Sequence, residues 1–302
     1  MRCLFIINPS SGTKTIQKKL DKLIGKMILE NIVHHVDVFF TQKKNDAYQR
    51  CLSLKDGDYD FVVSVGGDGT VNEIINGFVT QQLKTPLAIL PGGTVNDFAT
   101  HLKLPTSITQ FIKMIKDMKI ISVDIGKVND NYFANVIAGG MFSDIGFQVS
   151  KTEKERFGPL AYYINGVRQL HTQLNTHLHL TIKTEKEIFQ EDARLFMITN
   201  TSQVGGFKDI TPNANIQDGQ LDLLIIKTCS TTDLISLLKD YTFNQLEQSP
   251  FIHYVQAKTI TIFCNENIIY DIDGEEGTVF PIHVSTVPKA LNIIIPKEKS
   301  SS

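Results

Sequence analysis

Phe61-Val62-Val63-Ser64-Val65-Gly66-Gly67-Asp68-Gly69-Thr70-Val71-Asn72-Glu73-Ile74-Ile75-Asn76-Gly77 is the stretch whose reading decides the fold. Its first five residues, mostly β-branched or aromatic, form a strand that runs straight into a glycine turn. Val71, Ile74, Ile75 and Phe78 then fall at the spacing of one helix face. Strand, glycine turn and helix start together present backbone N–H groups to a phosphate. The glycines let the main chain approach the anion, and the helix N-terminus adds orphan donors and a favourable dipole. Asp68 introduces a conflict, because a carboxylate inside an anion nest repels phosphate unless a cation lies between them. Magnesium is therefore expected, with Asp68 among its ligands.

The residues around this stretch repeat its pattern. Residues 2–7 form an apolar strand that ends on Asn8-Pro9-Ser10-Ser11-Gly12, and residues 14–30 carry Ile16, Leu20, Leu23, Ile24, Met27 and Ile28 on one helical face. Residues 35–40 form a strand ending at Thr41, a short helix follows near 45–54, and residues 87–91 form a strand closing on Gly92-Gly93-Thr94. Strands alternating with helices predict an α/β N-terminal domain with a parallel sheet, and ligands of such sheets sit beyond the carboxyl ends of the strands. Asn8, Thr41, the Gly66-to-Thr70 turn and the turn carrying Thr94 all lie there.

After about residue 120 the pattern changes. Strands are expected over 120–128, 132–138, 177–184, 193–200, 221–228, 258–264, 268–272 and 279–284, with helices only near 158–172 and 231–241. This predicts an all-β, sandwich-like C-terminal domain. The expected organisation is an α/β domain over 1–125, to which a last strand at 288–296 returns, and a β-rich domain over 126–287; the resemblance given below implies ATP binding for the first and a lipid substrate for the second.

Composition excludes several classes. A net charge of −2 cannot supply a domain-wide basic surface, so no nucleic-acid partner is expected. No apolar run reaches the ~18 residues that span a bilayer, and the first eight residues read as a strand rather than a leader. Cys3, Cys51, Cys229 and Cys264 are scattered without a C-x-x-C pair, and the histidines show no ligand spacing, so zinc is not expected. The P-loop and dinucleotide glycine patterns are absent, as are the H-R-D and D-F-G signatures of protein kinases. Lys14, Lys18 and Lys19 read as solvated helix lysines within reach of the first turn.

Two acidic runs stand out in the second half. Asp218-Gly219-Gln220-Leu221-Asp222 reads either as a turn before a strand or as a metal loop. In Asp271-Ile272-Asp273-Gly274-Glu275, alternate residues of an extended chain share a face. If the stretch is extended, three carboxylates crowd together, which raises at least one pKa and suits a base; the alternative is a turn flanked by solvated acids.

Gly66-Gly67-Asp68-Gly69-Thr70-Val71-Asn72-Glu73, followed by Pro91-Gly92-Gly93-Thr94-Val95-Asn96-Asp97-Phe98-Ala99, resembles the diacylglycerol kinase catalytic-domain family and its soluble bacterial lipid kinases. The likeness extends to the Asp273-Gly274-Glu275 run. NAD kinases and 6-phosphofructokinases share the first turn, whereas Asn72-Glu73 and the 93–99 segment separate this family from them. The resemblance implies a fold like theirs and ATP contacts at Asn8, Thr41, Gly66, Gly67, Asp68, Gly69, Thr70, Val71, Asn72 and Thr94. It implies magnesium held by Asp218 with Asn215 and Gln220, and Glu275 as proton acceptor, with Asp273 and Asp271 as the other candidate acids. Asn96 has an alternative reading as a helix N-cap. Thr100 departs from the family, where Arg often stands, which removes a cationic contact.

The function implied is ATP-dependent phosphorylation of the free hydroxyl of diacylglycerol, giving phosphatidic acid. Peripheral contact with a membrane lipid substrate, a cytoplasmic location with visits to the inner membrane face, and a homodimer come with it. Phe142, Phe147 and Phe157 are candidates for the acyl-chain side, with ordinary core as the alternative. Two other functions stay open: a kinase for another acceptor such as a sphingoid base or NAD, and a nucleotide- or lipid-binding regulator without turnover.

Overall fold

The computed structural model describes residues 1–11, 15–141, 177–266 and 268–297. The chain divides into two compact units, Met1–Val123 with Lys289–Ser302, and Asp124–Pro288. Phe142, Phe147, Phe157, Lys14 and the helix expected near 158–172 lie outside the described residues.

The first unit alternates strand and helix: β1 (Arg2–Ile7), α1 (Thr15–Leu29), β2 (His35–Phe40), α2 (Asp46–Leu52), β3 (Phe61–Gly66), α3 (Asp68–Thr80), β4 (Leu87–Pro91), α4 (Asp97–His101) and α5 (Ile108–Asp117). Its strands lie in the order β4-β3-β1-β2 and pair in parallel. Every residue of β3 is buried, as expected of a parallel strand covered on both faces, which reads as a continuous apolar run rather than an alternation. β2 lies at the edge of this order, and its Val38 and Phe40 remain exposed. On α3, the Val71, Ile74, Ile75 and Phe78 face is buried as its spacing requires. Sequence reading gave no account of α4 and α5, although α5 begins at a Ser107 whose side chain accepts the Gln110 N–H and buries Phe111, Ile112, Met114 and Ile115.

The second unit is β-rich and antiparallel. It contains β6 (Asn131–Phe133), β7 (Val136–Gly140), β8 (Leu178–Thr184), β9 (Ile188–Thr199), β10 (Leu221–Lys227), α6 (Thr231–Thr242), β11 (Ile252–Ala257), β12 (Thr259–Cys264), β13 (Tyr270–Ile272) and β14 (Glu275–Glu276). Two long strands, β5 (Lys119–Val128) and β15 (Ile282–Ile295), begin in one unit and end in the other; the far end of β15 sets Ile293 beside Leu87 in the parallel sheet. Along β10, Leu221, Leu223 and Ile225 enter a core with Phe133, Phe196 and Tyr270, while Leu224 enters another with Leu237 and Ile252. Two apolar faces on one strand require cover on both sides, which is the sandwich-like arrangement.

The structure changes three element boundaries. The strand expected over 132–138 is two strands, broken where the N–H groups of Ala134 and Asn135 turn to the Asp273 carboxylate. The strands expected at 279–284 and 288–296 are one, β15. β11 was not anticipated; it pairs with β10 in full register from Leu221↔Ala257 to Ile226↔Ile252.

β10 also buries an acid. Asp222 is 1% exposed, its Oδ1 accepting from the Tyr254 hydroxyl and from Gln256 Nε2 at 3.0 Å. Burial pushes its carboxyl up from the ordinary 3.8 to about 6, against the pull of those two donors. For an acid raised on folding, the stabilising contribution is complete below the unfolded pKa and is lost as pH rises through the folded one. Chemical denaturation of the wild type from pH 3 to pH 7 should therefore show a loss of about 3 kcal/mol that Asp222→Asn, which keeps the accepting Oδ1, does not show. Parallel pH profiles of the two proteins would contradict this account.

Candidate functional site

The carboxyl ends of β1, β2 and β3 meet around a cavity of about 410 Å³, lined by residues 8–11, residues 41–44, Gly67, Gly69, Thr70 and Glu73. Asn8 joins two of these ends. Its N–H donates to the Val65 carbonyl at 2.9 Å, its Nδ2 donates to Thr70 Oγ1 at 3.1 Å, and its Oδ1 accepts the Ser10 N–H and hydroxyl at 3.0 and 2.8 Å. Thr41 is buried and docks on β1, its N–H donating to the Ile7 carbonyl at 2.9 Å and its hydroxyl reaching the same oxygen at 3.4 Å.

Two glycine loops touch beside this cavity. The Gly92 N–H donates to the Gly66 carbonyl at 2.8 Å, and a Cβ placed on Gly93 would stand 2.5 Å from Gly67 Cα. Only glycine at 93 allows that approach. Asn96, at φ 57°, braces the same residue, with its Oδ1 accepting the Gly93 N–H and its Nδ2 donating to the Gly93 carbonyl, both at 2.8 Å. Asn96 occupies the N-cap position of α4, but its side chain makes no cap bond there. The cap comes from the other loop: Asp68 Oδ2 accepts the Asn96 N–H at 2.8 Å, and the Asp97 and Phe98 N–H groups also reach this carboxylate. Burial raises the Asp68 carboxyl above its ordinary value while these donors pull it down. The first N–H groups of α4 thus give the Asp68 carboxylate positive partners within the protein.

The other expected nucleotide residues are distributed unevenly. Gly67, Gly69 and Thr70 line the cavity with Asn8 and Thr41, while Gly66, Asp68, Val71, Asn72 and Thr94 are not among its lining residues. Val71 is core, Asn72 Oδ1 accepts from Asn76 Nδ2 at 2.7 Å, and Thr94 is exposed. Sequence reading missed Gln42, Lys43, Lys44 and Glu73. The only available signal for the lysines was a pair of cations directly after a strand end.

The 271–275 run is not extended. β13 and β14 pair antiparallel, Asp271↔Glu276 and Ile272↔Glu275, around Asp273 at φ 50° and Gly274 at φ 88°. Two central residues with positive φ make a tight hairpin of the Asp-Gly kind. The expected crowding of three carboxylates on one face is therefore replaced by three separate environments. Asp273 accepts the N–H groups of Ala134 at 2.6 Å, Asn135 at 3.0 Å and Val136 at 2.8 Å. Asp271 is buried and its Oδ1 accepts the Gly274 N–H at 2.9 Å, while Glu275 is exposed on β14.

In the 215–222 loop, Asp218 Oδ1 accepts the Gln220 N–H at 2.9 Å, and Asn215 Oδ1 accepts the Gln217 N–H at 3.1 Å. The buried Asp124, not anticipated, holds the loop by accepting the Gly219 N–H at 2.7 Å. Among the described residues no three His, Cys, Asp or Glu side chains gather as a metal group. Exposed Asp218 and the neighbouring Asn215 and Gln220 still offer hard oxygen donors of the few-ligand kind that magnesium accepts while keeping waters.

The contact between the loops gives a direct test. Gly93→Ala drives a methyl into backbone and should cost about 1–3 kcal/mol in a denaturant melt and weaken binding of an ATP analogue. Gly25→Ala, in α1 with nothing within 4 Å of the added carbon, should leave binding unchanged and stability equal or higher. Equal behaviour of the two variants would remove the tight approach as a determinant of the site.

Comparison with known proteins agrees with the likeness read from the motifs. Residues 2–128 match the diacylglycerol kinase catalytic domain, and residues 136–295 match the YegS C-terminal NAD kinase beta sandwich-like domain. A diacylglycerol kinase of Staphylococcus carnosus is 30% identical over 98% of this chain and 96% of its own length. One of Staphylococcus haemolyticus is 32% identical over 98% of this chain and 89% of its own. A crystal structure of a diacylglycerol kinase from Bacillus anthracis superposes with a TM-score of 0.76 at 26% identity, over 97% of this chain and 96% of that one. With both halves matched, the chain belongs to the diacylglycerol kinase catalytic-domain family, with a YegS-type C-terminal domain, and is a kinase of that family.

Proposed function

We propose that this kinase transfers the γ-phosphoryl group of ATP to the free hydroxyl of diacylglycerol, giving phosphatidic acid. The observation that carries the nucleotide half is the cavity at the strand ends, where Asn8, Thr41 and the Gly67-to-Thr70 turn meet at the N-terminus of α3. The acceptor half rests on the names of the relatives, each a diacylglycerol kinase. A diacylglycerol acceptor means work at a membrane surface, in the cytoplasm at the inner face, and no helix among the described residues is long and apolar enough to cross one.

Phosphoryl transfer asks a protein mainly for positioning and charge neutralisation, plus a carboxylate for the attacking hydroxyl. In this reading Glu275 takes the proton. Glu275 is exposed on β14, which suits it to an incoming hydroxyl, while Asp271 accepts the hairpin's Gly274 N–H and Asp273 accepts N–H groups at the break between β6 and β7. Asp218, with Asn215 and Gln220, would hold a structural magnesium, an ion that accepts such hard oxygen donors and keeps waters. Asp68 keeps the two glycine loops in register for the nucleotide.

With Mg·ATP and diacylglycerol in mixed micelles, the wild type should form phosphatidic acid, and Glu275→Gln should lower kcat by about 10² or more. No product above the variant would end the kinase assignment for this acceptor. A preference for NAD or a sphingoid base in the same panel would redirect it.

A further inference from the structure

Glu73 lies in the first half of α3, in the run that follows the glycine turn, and the reading above gives it no task. Its carboxylate grips another element. Oε1 accepts the Asn45 N–H at 2.9 Å and Oε2 accepts the Ala47 N–H at 3.1 Å. These donors stand at the N-cap and in the first turn of α2, where helix N–H groups have no partner within the helix. Asn45 itself sits at φ 71° and contributes no side-chain cap, so the cap of α2 is supplied from α3. The four residues just before it, Thr41 to Lys44, line the cavity. They are fastened a second time by Asp46, whose Oδ2 accepts the Gln42 and Lys43 N–H groups at 2.8 and 3.0 Å.

The strap carrying Lys43 and Lys44 is thus tied through Glu73 to the helix whose N-terminus forms the phosphate-facing turn. We propose that Glu73 is a positioning residue for the nucleotide: through Asn45 and Ala47 it holds the 41–46 strap against the cavity and sets ATP affinity without contacting ATP. This rests on the nucleotide reading of the cavity. A carboxylate spanning two backbone donors fixes the strap in two directions, whereas a glutamine retains only one acceptor atom.

The test is binding of Mg·AMP-PNP to the full chain by calorimetry, with KM for ATP and kcat measured on the same proteins. Glu73→Ala should weaken the analogue about tenfold or more and raise KM for ATP more than it lowers kcat, and Glu73→Gln should fall between it and wild type. Ala47→Pro removes one donor in the first turn of α2 without removing an intrahelical bond, and it should weaken binding too. The double variant Glu73→Ala with Ala47→Pro should be no weaker than Glu73→Ala alone, because both act on one contact. Amide exchange at Asn45 and Ala47 should quicken in Glu73→Gln, a readout that serves if the other variants melt early. Unchanged affinity in Glu73→Ala overturns the proposal. So does weak binding in Glu73→Ala with wild-type affinity in Ala47→Pro and unchanged exchange, because Glu73 would then touch the nucleotide itself. A wild type that binds no AMP-PNP defeats the nucleotide reading, and this proposal with it.

Discussion

The first unit depends on one contact between two turns, the approach of Gly67 to Gly93 with the Asp68 carboxylate seated on the N-terminus of α4. Neither turn alone defines a site. The β3–α3 turn lines the cavity with Gly67, Gly69 and Thr70, but its register against the β4 end is set by main chain packed too closely for any side chain. A five-residue helix has little stability of its own. A buried carboxylate across its first N–H groups fixes it, and the same bond keeps the carboxyl out of the cavity.

The same device recurs wherever a loop must hold a shape. Asp273 gathers three consecutive N–H groups at the break between β6 and β7, Asp124 holds Gly219, Asp56 takes the Lys84 and Thr85 N–H groups, and Glu185 takes those of Lys258 and Thr259. A charge-assisted bond to a backbone donor is about twice as strong as a neutral one, and it needs no second side chain to be ordered. Several loops among the described residues are therefore fastened by acids that reach across sequence. For Asp56 and Glu185 the donors hold the carboxyl below its ordinary range against the opposing effect of burial.

What the sequence made legible was local. β3 running into the glycine turn and α3 could be read because a buried parallel strand, a glycine run and a helical face each leave a contiguous signature. The parallel class of the first unit and the β-rich, sandwich-like class of the second followed from repeating that reading. The partners of the acids were not legible, since Asp68 meets residues 96–98 and Asp273 meets residues 134–136 only after folding. The hairpin at 271–276 is a different case. Asp273-Gly274 is a strong short-range turn signal, and the structure takes that turn rather than the extended reading the alternating acids also allow. β11 escaped because His253 and Gln256 dilute an alternation whose apolar members pack on β10.

Acids in nucleotide-site motifs are easily read as metal ligands or bases, because a carboxylate near phosphate is otherwise unfavourable. Here Asp46 and Glu73 border the strap and cavity, and Asp68 stands beside the turn, yet each accepts two or more backbone N–H groups. Two opposed charges 4 Å apart near a protein surface interact by about 4 kcal/mol, so an unanchored carboxylate in the cavity would offset much of what Lys43 or Lys44 offers an anion. Anchoring turns each acid toward peptide dipoles and leaves lysines and the α3 N-terminus facing the cavity. On the nucleotide reading proposed above, Asp68 and Glu73 serve the anion indirectly, by holding the loop and the strap that line the cavity.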